Sequence, residues 1–279
     1  TTTPWTLPAN AAVCLMPDAD YVMVQVDGSN VIFAKELVEE VAEIAGWEDY
    51  ALVCGQDGQP VVLKGTELCG LTYTCPIRQD LKGKIIYGDH VTLDSGTGCV
   101  HTAPGHGQDD YLVGLQFDIP ILMPVDDNGV LTEDAGPFAG LDTDDANPVI
   151  IDWLREQGTL VAARKISHSY PHCWRCHEPV IFRATDQWFV SMEENGLRGK
   201  AMDAIERDVT FYPGWAVNRI GSMVSDRPDW CISRQRNWGV PIPVFKCAKC
   251  GETVANEATF DAVIKLFYEE GADAWFTKK

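Results

Sequence analysis

Residues 96–111 constrain this chain more than any other part of its sequence. They read GTGCVHTAPGHGQDDY and concentrate four glycines, two histidines and two aspartates in one loop. Glycines at this density admit positive φ and let a ligand approach the backbone, so the loop is typical of a binding rim. On an extended segment Val100 and Thr102 point away from the face that carries His101. The alternative is a glycine-rich hairpin whose histidine is merely hydrogen-bonded, and the residues alone leave that choice open.

Short strands and helices are predicted around this loop. Alternating apolar residues predict a strand over 20–26, and Asp27-Gly28 then turns the chain back. Between residues 50 and 93 short strands alternate with turns, which predicts a small β-barrel or sandwich. Apolar residues at helical spacing predict helices over 34–45, 109–117 and 146–158. The second of these begins inside this loop, just after the bend at residues 105–107, where free N–H groups favour negative or polar ligands.

The chain is strongly acidic, and its charge is unevenly spread. Its 279 residues carry a formal net charge of −19. Residues 1–165 hold 8 basic against 26 acidic residues, a net −18, whereas residues 166–279 hold 14 against 15. This balance disfavours broad nonspecific binding of nucleic acid, because phosphate contacts need clustered lysine and arginine. No apolar run approaches the roughly 20 residues that span a bilayer, so no membrane partner is expected.

The first ten residues, TTTPWTLPAN, place three threonine hydroxyls before a short turn bracketed by Pro4 and Pro8. Proline removes a donor and biases the preceding residue toward extended conformations, so we predict a strand end that passes into a loop or a helix start. Threonine hydroxyls can orient a water molecule or a substrate oxygen. A solvent-facing strand is the alternative. The segment is already patterned at Thr1, and we expect the sequence to be an excerpt of a longer polypeptide.

A second compositional block begins near residue 166. A strand is predicted over 180–182 and helices over 198–205 and 259–270. A segment rich in arginine and tryptophan spans 230–243 and suits phosphate and stacking contacts. With the acidic first block, this change of composition predicts two domains, over residues 1–165 and 166–279.

Ten cysteines without a secretory context indicate a reducing compartment. Four of them form two Cys-x-x-Cys pairs that can supply zinc ligands: Cys173, Cys176, Cys247 and Cys250. Structural zinc is favoured over a thioredoxin-like redox motif, because no βαβ pattern surrounds either pair. A catalytic metal near His101 and Asp110 is disfavoured, since no third ligand is apparent. Cys99 is expected to be a buried thiol and not a nucleophile.

Four long segments, in the right order, resemble isoleucyl-tRNA synthetases of the bacterial type. Residues 1–10 resemble the threonine-rich peptide of that family's inserted editing domain, and residues 96–111 resemble its second editing motif. Residues 168–192 and 230–243 resemble segments further along the same enzymes. The valyl and leucyl relatives differ at both editing motifs, so the resemblance is specific to the isoleucyl family and spans nearly the whole chain.

The resemblance implies hydrolysis of Val-tRNA(Ile), a mischarged product, with exclusion of Ile-tRNA(Ile). Isoleucyl-tRNA synthetases are the standard worked case of such double-sieve editing. By resemblance, Asp110 anchors the α-ammonium group of the substrate, and His101 lines the side-chain pocket and excludes isoleucine. The aminoacyl group and the attacking water are positioned by Thr1, Thr2 and Thr3. The remaining residues of the expected substrate-binding set are Asn10, which supports the first motif, with Gly98, Val100 and Gly105.

The resemblance also implies the fold, the partners and the cofactors. The fold is expected to be α+β and mostly β, with a barrel-like editing domain and flanking helices over residues 1–165. Residues 166–279 are expected to form a stem that leads back to a Rossmann-type synthetic domain. The expected partners are the valine-bearing 3′ end of tRNA(Ile) and the rest of a monomeric, cytoplasmic synthetase. Editing is expected to need no cofactor, whereas ATP and Mg²⁺ serve the synthetic reaction of the parent enzyme.

Zinc is implied as a structural metal shared with other parts of such an enzyme. In the family a further cysteine pair outside this stretch completes each site, so the two Cys-x-x-Cys pairs here are expected to be half-sites. Two other functions stay open: a free-standing aminoacyl-tRNA deacylase of other specificity, and a non-catalytic, zinc-stabilised RNA-binding module. The isoleucyl form of the motifs and the segment over 230–243 disfavour the first. The charge of the first block disfavours the second.

Overall fold

The computed structural model describes residues 1–234 and 240–278 of the chain. Tertiary contacts divide the chain into two compact units, Thr1–Ala184 and Thr185–Lys279. The predicted boundary near residue 165, between an editing domain and a stem, divides the chain by function and stays a prediction. Among the residues described, every helix is too short or too polar to cross a bilayer.

Two open sheets organise the first unit. Their strands are β1 (Ala12–Leu15), β2 (Asp20–Val26), β3 (Ser29–Ala34), β4 (Tyr50–Leu52), β5 (Val62–Lys64), β6 (Thr72–Thr74), β7 (Lys82–Tyr87) and β8 (Cys99–Thr102). One sheet has the order β6-β7-β1-β8, in which β1 and β7 are parallel and the other pairs antiparallel. In the other sheet β2 lies between β3 and β4 and also pairs with β5. The strand predicted over 20–26 is confirmed, and Asp27 and Gly28 turn at positive φ.

The helices of the first unit are α1 (Val38–Ala45), α2 (Gly65–Leu68), α3 (Gln108–Gln116) and α4 (Thr143–Glu156), with 3-10 helices over Pro4–Ala9, Lys35–Leu37 and Glu133–Phe138. The three predicted helices are confirmed as α1, α3 and α4. The first ends at Gly46, whose φ of 69° closes it. The third is capped at its N-terminus by Asp142, whose side chain accepts the amide of Asp144. The threonine-rich segment is a helix start, since it leads into Pro4–Ala9.

The second unit contains four α-helices within its described residues: α5 (Leu197–Arg207), α6 (Ala216–Ser225), α7 (Glu257–Glu270) and α8 (Ala274–Thr277). Two short antiparallel strand pairs accompany them, formed by β9 (Phe189–Val190) with β10 (Trp230–Cys231) and by β11 (Phe245–Lys246) with β12 (Thr253–Val254). The helices predicted over 198–205 and 259–270 are confirmed as α5 and α7. The segment predicted over 230–243 lies partly outside the described residues, at 235–239.

One strand prediction is wrong. Residues 180–182, in the first unit, form no strand. The carbonyl of Phe182 accepts a hydrogen bond from the ring of His106, at 2.9 Å, and the amide of Val180 donates to Pro171. The apolar run over 180–182 therefore packs in a loop, and the backbone groups of Val180 and Phe182 find partners without a strand ladder.

The fold is mixed α/β. Strands and helices both contribute to the first unit, so the expectation of a mostly β domain is too strong. Within the part of the chain that the structure describes, the two sheets stay open and no barrel closes. The Rossmann-type continuation of the stem stays a prediction.

Tyr21 on β2 connects the two sheets. Its ring is 1% exposed within the core cluster of β2, β3 and α1. Its hydroxyl accepts the amide of Met16, just after β1, at 2.9 Å and donates to the carbonyl of Gly98, just before β8, at 2.6 Å. One buried hydroxyl thus joins β2 to two segments that flank strands of the other sheet.

We therefore expect Tyr21→Phe to lower the free energy of unfolding by about 1–3 kcal/mol, because it leaves the half-buried Met16 amide and the buried Gly98 carbonyl without their shared partner. Urea unfolding measures the change. Tyr50→Phe is the matched control, since Tyr50 is exposed on β4 and the substitution should stay within about 0.5 kcal/mol of wild type. Equal losses in the two variants would contradict the connecting role of Tyr21.

Candidate functional site

His101 lies on β8, and both of its ring nitrogens are hydrogen-bonded. Nε2 lies 3.0 Å from Thr6 Oγ1, and Nδ1 lies 2.7 Å from Asn10 Nδ2. The amide nitrogen of Asn10 also donates to the carbonyl of Ala12 at 3.2 Å. That contact sets the orientation of the amide, because a carbonyl can only accept. Nδ1 is therefore an acceptor, and the ring proton lies on Nε2 and is donated to Thr6.

The hydrogen-bonded chain continues through Thr6 into the threonine-rich segment. The Thr6 hydroxyl donates to the carbonyl of Thr3 at 2.8 Å, and the Thr6 amide donates to the same oxygen at 3.0 Å. The amide of Thr3 donates to Thr1 Oγ1 at 3.1 Å. The structure thus joins Thr3 to His101 through one intervening hydroxyl, while Thr1 and Thr2 are exposed.

The ring of His101 is neutral over the whole physiological range. Its pKa is lowered from 6.5 to about 3, principally because burial disfavours the charged form. With Nδ1 accepting from Asn10 and Nε2 carrying the proton, the ring has no lone pair left for a water molecule. A general base needs such a lone pair. The ring therefore contributes shape and a neutral polar edge, and it takes no proton.

Asp110 lies in the first turn of α3 and is tied to the end of β8. Its Oδ2 accepts the backbone amide of Ala103 at 2.8 Å, and Ala103 directly follows β8. Burial raises the pKa of this half-buried carboxyl, and the hydrogen bond from Ala103 opposes that shift. Among the described residues the other carboxylate oxygen has no hydrogen-bond partner, so it can receive a cationic group. The neighbouring Asp109 is exposed.

Three of the expected substrate-binding residues are occupied in packing. Gly98 has a φ of 69°, and a Cβ there would lie 2.6 Å from the Cβ of Ala34. A Cβ on Gly105 would lie 2.4 Å from the carbonyl oxygen of Leu122. Val100 packs against the core cluster beneath β1 and α3. These contacts explain why the loop needs small residues at both glycines, and the substrate-binding role of the three positions stays a prediction.

His106 belongs to the support of the loop. Its Nδ1 donates to the carbonyl of Phe182, and its ring packs edge-on against Trp5, with ring centroids 4.8 Å apart. Burial lowers its pKa. The residue is 8% exposed, so its ring packs as part of the loop's interior.

Two residues of this hydrogen-bonded network are not predicted from the sequence. Thr6 stands three residues after the triple threonine and supplies the hydroxyl that His101 contacts. Tyr73, on β6, donates its hydroxyl to Asn10 Oδ1 at 2.5 Å. The only sequence signal for Thr6 is its position inside the proline-bracketed segment, and nothing in the sequence near residue 73 signals a link across 63 residues to Asn10.

The two Cys-x-x-Cys pairs adopt the same turn. In each, the amide of the first cysteine donates at 2.8 Å to the carbonyl five residues later, Glu178 or Glu252. The residue after the second cysteine, His177 or Gly251, has positive φ and donates back at 2.8 Å to the carbonyl of the first. Hydrogen bonds from the backbone amides of Cys250 and Lys249 lower the pKa of the Cys247 thiol.

Each turn therefore fits half of a zinc site. A lowered thiol pKa favours the thiolate that binds zinc. Over residues 1–234 and 240–278, no group of three or more histidine, cysteine, aspartate or glutamate side chains is placed to hold a metal ion. A complete tetrahedral site would need two further ligands at each pair.

The family model described as tRNA synthetases class I (I, L, M and V) matches residues 18–279. The chain belongs to this family. It is 48% identical, over its whole length, to the isoleucine–tRNA ligase of Moorella thermoacetica, and covers 29% of that protein. It is 48% identical over 99% of its length to the corresponding ligase of Kosmotoga olearia, of which it also covers 29%. The ligase of Thermotoga maritima is 47% identical over the whole chain, which covers 30% of it.

The resemblance to the bacterial isoleucyl enzymes is thereby confirmed, and this synthetase chain spans less than a third of the length of the curated relatives it matches. A solved structure, the crystal structure of GlLeuRS-CP1, aligns with 59% of the chain and 82% of its own length. Its sequence identity is 14% and its TM-score is 0.48.

The lowered pKa of His101 predicts a pH dependence of stability. The unfolded chain takes up a proton near pH 6.5 and the folded chain only near pH 3, so the unfolded state binds more protons between these values. The contribution of neutral His101 to the free energy of unfolding is therefore fully present above about pH 6.5, and it decreases as the pH is lowered toward 3. When the pH is lowered from about 7 to about 4.5, we expect the free energy of unfolding to fall in wild type. In His101→Gln, which keeps an acceptor for Asn10, this fall should be smaller by about 1–2 kcal/mol.

Urea unfolding at the two pH values measures this difference. His168→Gln serves as the control, because His168 is exposed and its substitution should leave the pH slope unchanged. The neutral assignment of His101 is wrong if His101→Gln and wild type lose the same stability on acidification.

Proposed function

We propose that this synthetase segment is an editing site that hydrolyses the ester of valine mischarged onto tRNA(Ile) and spares Ile-tRNA(Ile). One observation carries the proposal: a neutral histidine, held between Asn10 and Thr6, lies on the strand that leads directly to the anchored carboxylate of Asp110. The kinship with isoleucine–tRNA ligases supplies the substrate class.

Asp110 is proposed to bind the α-ammonium group of the aminoacyl ester. One of its oxygens is held by Ala103, so the carboxylate has a defined direction and its other oxygen accepts the ammonium. The half-buried position strengthens the attraction, since charges interact more strongly in a lower dielectric. Burial raises the pKa of this carboxyl, and a bound cation would lower it again.

His101 is proposed to limit the size of the side-chain pocket. A neutral ring does not repel the ammonium group that Asp110 binds. Because Asn10 and Thr6 hold both ring nitrogens, the ring cannot rotate away to admit a larger side chain. Isoleucine exceeds valine by one methylene group, and a fixed wall turns that difference into steric overlap.

Hydrolysis itself is proposed to depend on positioning. An aminoacyl ester is already activated, so a water molecule held close to its carbonyl carbon can react without a strong base. The hydroxyls of Thr1, Thr2 and Thr3 would hold the aminoacyl group and this water. The water oxygen adds to the carbonyl carbon, and the bond to the ribose oxygen breaks. A proton of the water passes to that ribose oxygen, and valine and tRNA with a free terminal hydroxyl are released.

The proposed partners are the valine-bearing 3′ end of tRNA(Ile) and the remainder of a monomeric, cytoplasmic synthetase. The net charge of −18 over residues 1–165 implies that contacts with the body of the tRNA come mainly from elsewhere in such an enzyme. No cofactor enters the proposed hydrolysis. Zinc at Cys173 with Cys176 in the first unit, and at Cys247 with Cys250 in the second, would be structural, and ATP with Mg²⁺ would serve only the synthetic reaction of the parent enzyme.

The function is tested first at Asp110. We expect the chain to release valine from Val-tRNA(Ile) faster than isoleucine from Ile-tRNA(Ile), and Asp110→Asn to lower the valine rate by about 100-fold or more, because a part-buried charge partner is lost. The asparagine can still accept the Ala103 amide, so the free energy of unfolding should change by less than about 1 kcal/mol.

Deacylation of radiolabelled esters, together with urea unfolding, measures both quantities. Asp109→Asn is the matched control, since this exposed neighbour lies in the same helical turn and should keep the wild-type rate. Full hydrolysis by the Asp110→Asn variant would remove the proposed ammonium anchor. Equal rates on both esters by the wild-type chain would contradict the proposed selectivity.

The proposed exclusion of isoleucine is tested at His101. We expect His101→Ala to raise the hydrolysis of Ile-tRNA(Ile) by about tenfold or more, because removing the ring relieves an overlap of roughly 1–3 kcal/mol. Hydrolysis of Val-tRNA(Ile) should change less. His168→Ala, at an exposed histidine of the first unit, provides the control. Unchanged rejection of isoleucine by His101→Ala would show that another residue forms the wall of the pocket.

A further inference from the structure

Tyr73 lies outside both motifs that resemble editing sequences, yet it contacts the residue that orients His101. Its hydroxyl donates to Asn10 Oδ1 at 2.5 Å. Asn10 is 3% exposed, so its amide oxygen has little access to water. A buried carbonyl oxygen without a donor is strongly disfavoured. The Tyr73 hydroxyl therefore satisfies a group that solvent cannot reach.

The position of this hydroxyl depends on a glycine across the strand pair. In the register of β6 with β7, Tyr73 lies opposite Gly83. A Cβ on Gly83 would lie 2.2 Å from Tyr73 Cζ and 2.4 Å from its hydroxyl oxygen. The tyrosine ring thus occupies the space that a side chain on β7 would fill. Gly83 is buried and has no positive φ, so close approach of the ring is the physical reason for glycine here.

The contacts form one continuous path from β7 to the threonine-rich segment. Gly83 admits the ring of Tyr73, Tyr73 binds Asn10 Oδ1, and Asn10 Nδ2 binds His101 Nδ1. The amide of Asn10 has two restraints besides His101, namely the Tyr73 hydroxyl on its oxygen and the Ala12 carbonyl on its nitrogen. Loss of either the Tyr73 hydroxyl or the Ala12 carbonyl leaves a single restraint on the amide, which can then rotate or withdraw from the ring of His101.

We infer that Tyr73 is a positioning residue of this site, that it holds His101 through Asn10, and that Gly83 is required to make room for it. The effect on substrate selectivity rests on the proposed editing function. The effect on the His101 ring does not, because it follows from the hydrogen bonds alone. Tyr73 does not touch the substrate in this scheme, so its substitution acts on the ring that separates valine from isoleucine.

The first experiment observes the ring directly. Nitrogen-15 NMR of histidine-labelled chain distinguishes a protonated ring nitrogen from an accepting one, and His101→Gln assigns the His101 signals. We expect wild type to show Nε2 protonated and Nδ1 accepting. Tyr73→Phe, which keeps the ring and removes the hydroxyl, should shift or broaden the Nδ1 signal of His101 and leave the other histidines unchanged.

Gly83→Ala is the second variant and acts without altering the hydroxyl. Its methyl group should displace the tyrosine ring and produce the same change at His101 Nδ1. Combining the two substitutions should change that signal no further than Tyr73→Phe alone, because both act through one contact. Tyr87→Phe is the control, since Tyr87 lies on β7 and packs its ring against Phe117, with centroids 5.1 Å apart.

The second experiment measures selectivity as the ratio of kcat/KM for Val-tRNA(Ile) to that for Ile-tRNA(Ile). We expect Tyr73→Phe and Gly83→Ala to narrow this ratio about tenfold, mainly through faster loss of isoleucine, and Tyr87→Phe to preserve it. A purely structural role would lower both rates together and leave the ratio intact.

The outcomes separate this inference from the proposed function. An unchanged His101 signal in Tyr73→Phe overturns the inference, whatever the enzyme does. A changed signal with an unchanged ratio overturns the link to selectivity. If wild type hydrolyses neither ester, the proposed function fails, and the NMR comparison still decides whether Tyr73 and Gly83 hold His101.

Discussion

The side-chain amide of Asn10 is the contact on which this site depends. It is buried, it has one donor group and one acceptor group, and each is matched to a different part of the first unit. Its nitrogen faces the carbonyl of Ala12 and the ring of His101, and its oxygen faces the hydroxyl of Tyr73. Because a buried amide cannot exchange these partners for water, the three groups must keep their relative positions.

The sheet that carries this amide explains why the partners meet. In the pairing of β1 with β8, Val13 lies opposite His101, and the amide of Ala11 donates to the carbonyl of Thr102 beyond the end of β1. Asn10 immediately precedes that ladder and so lies beside the histidine. The parallel neighbour β7 and then β6 bring Tyr73 to the other side of the amide. A slip of one residue in either pairing would turn these side chains to opposite faces.

The electrostatic state of the site follows from the same arrangement. Withdrawal from water keeps His101 neutral, and it also raises the pKa of Asp110, whose charged form is supported by a backbone amide. The result is a fixed neutral ring on β8 and, in the first turn of the helix that follows, a carboxylate with one oxygen available. Such a pair suits a ligand that carries one positive charge and an apolar group of limited size. It is poorly suited to proton transfer, because the histidine offers no lone pair and its charged form is strongly disfavoured.

Local sequence determined many secondary-structure elements of the first unit and identified several residues of the candidate site. The alternation over 20–26, the Asp27-Gly28 turn and the helices α1, α3 and α4 follow from residue spacing and caps that act within a few residues, and the motifs around His101 and Asp110 identify the family. Sequence also overstated two features, the barrel and the strand over 180–182, because a pattern of apolar residues does not say whether a backbone pairs with another strand or forms a loop. Only the tertiary structure decided which nitrogen of His101 carries the proton, that Thr6 and not the triple threonine itself contacts the ring, and that Tyr73 and Gly83 belong to the same network. These features depend on hydrogen bonds between residues that are 63 to 95 positions apart in the sequence. Strand register brings such residues together, and no local sequence pattern specifies that register.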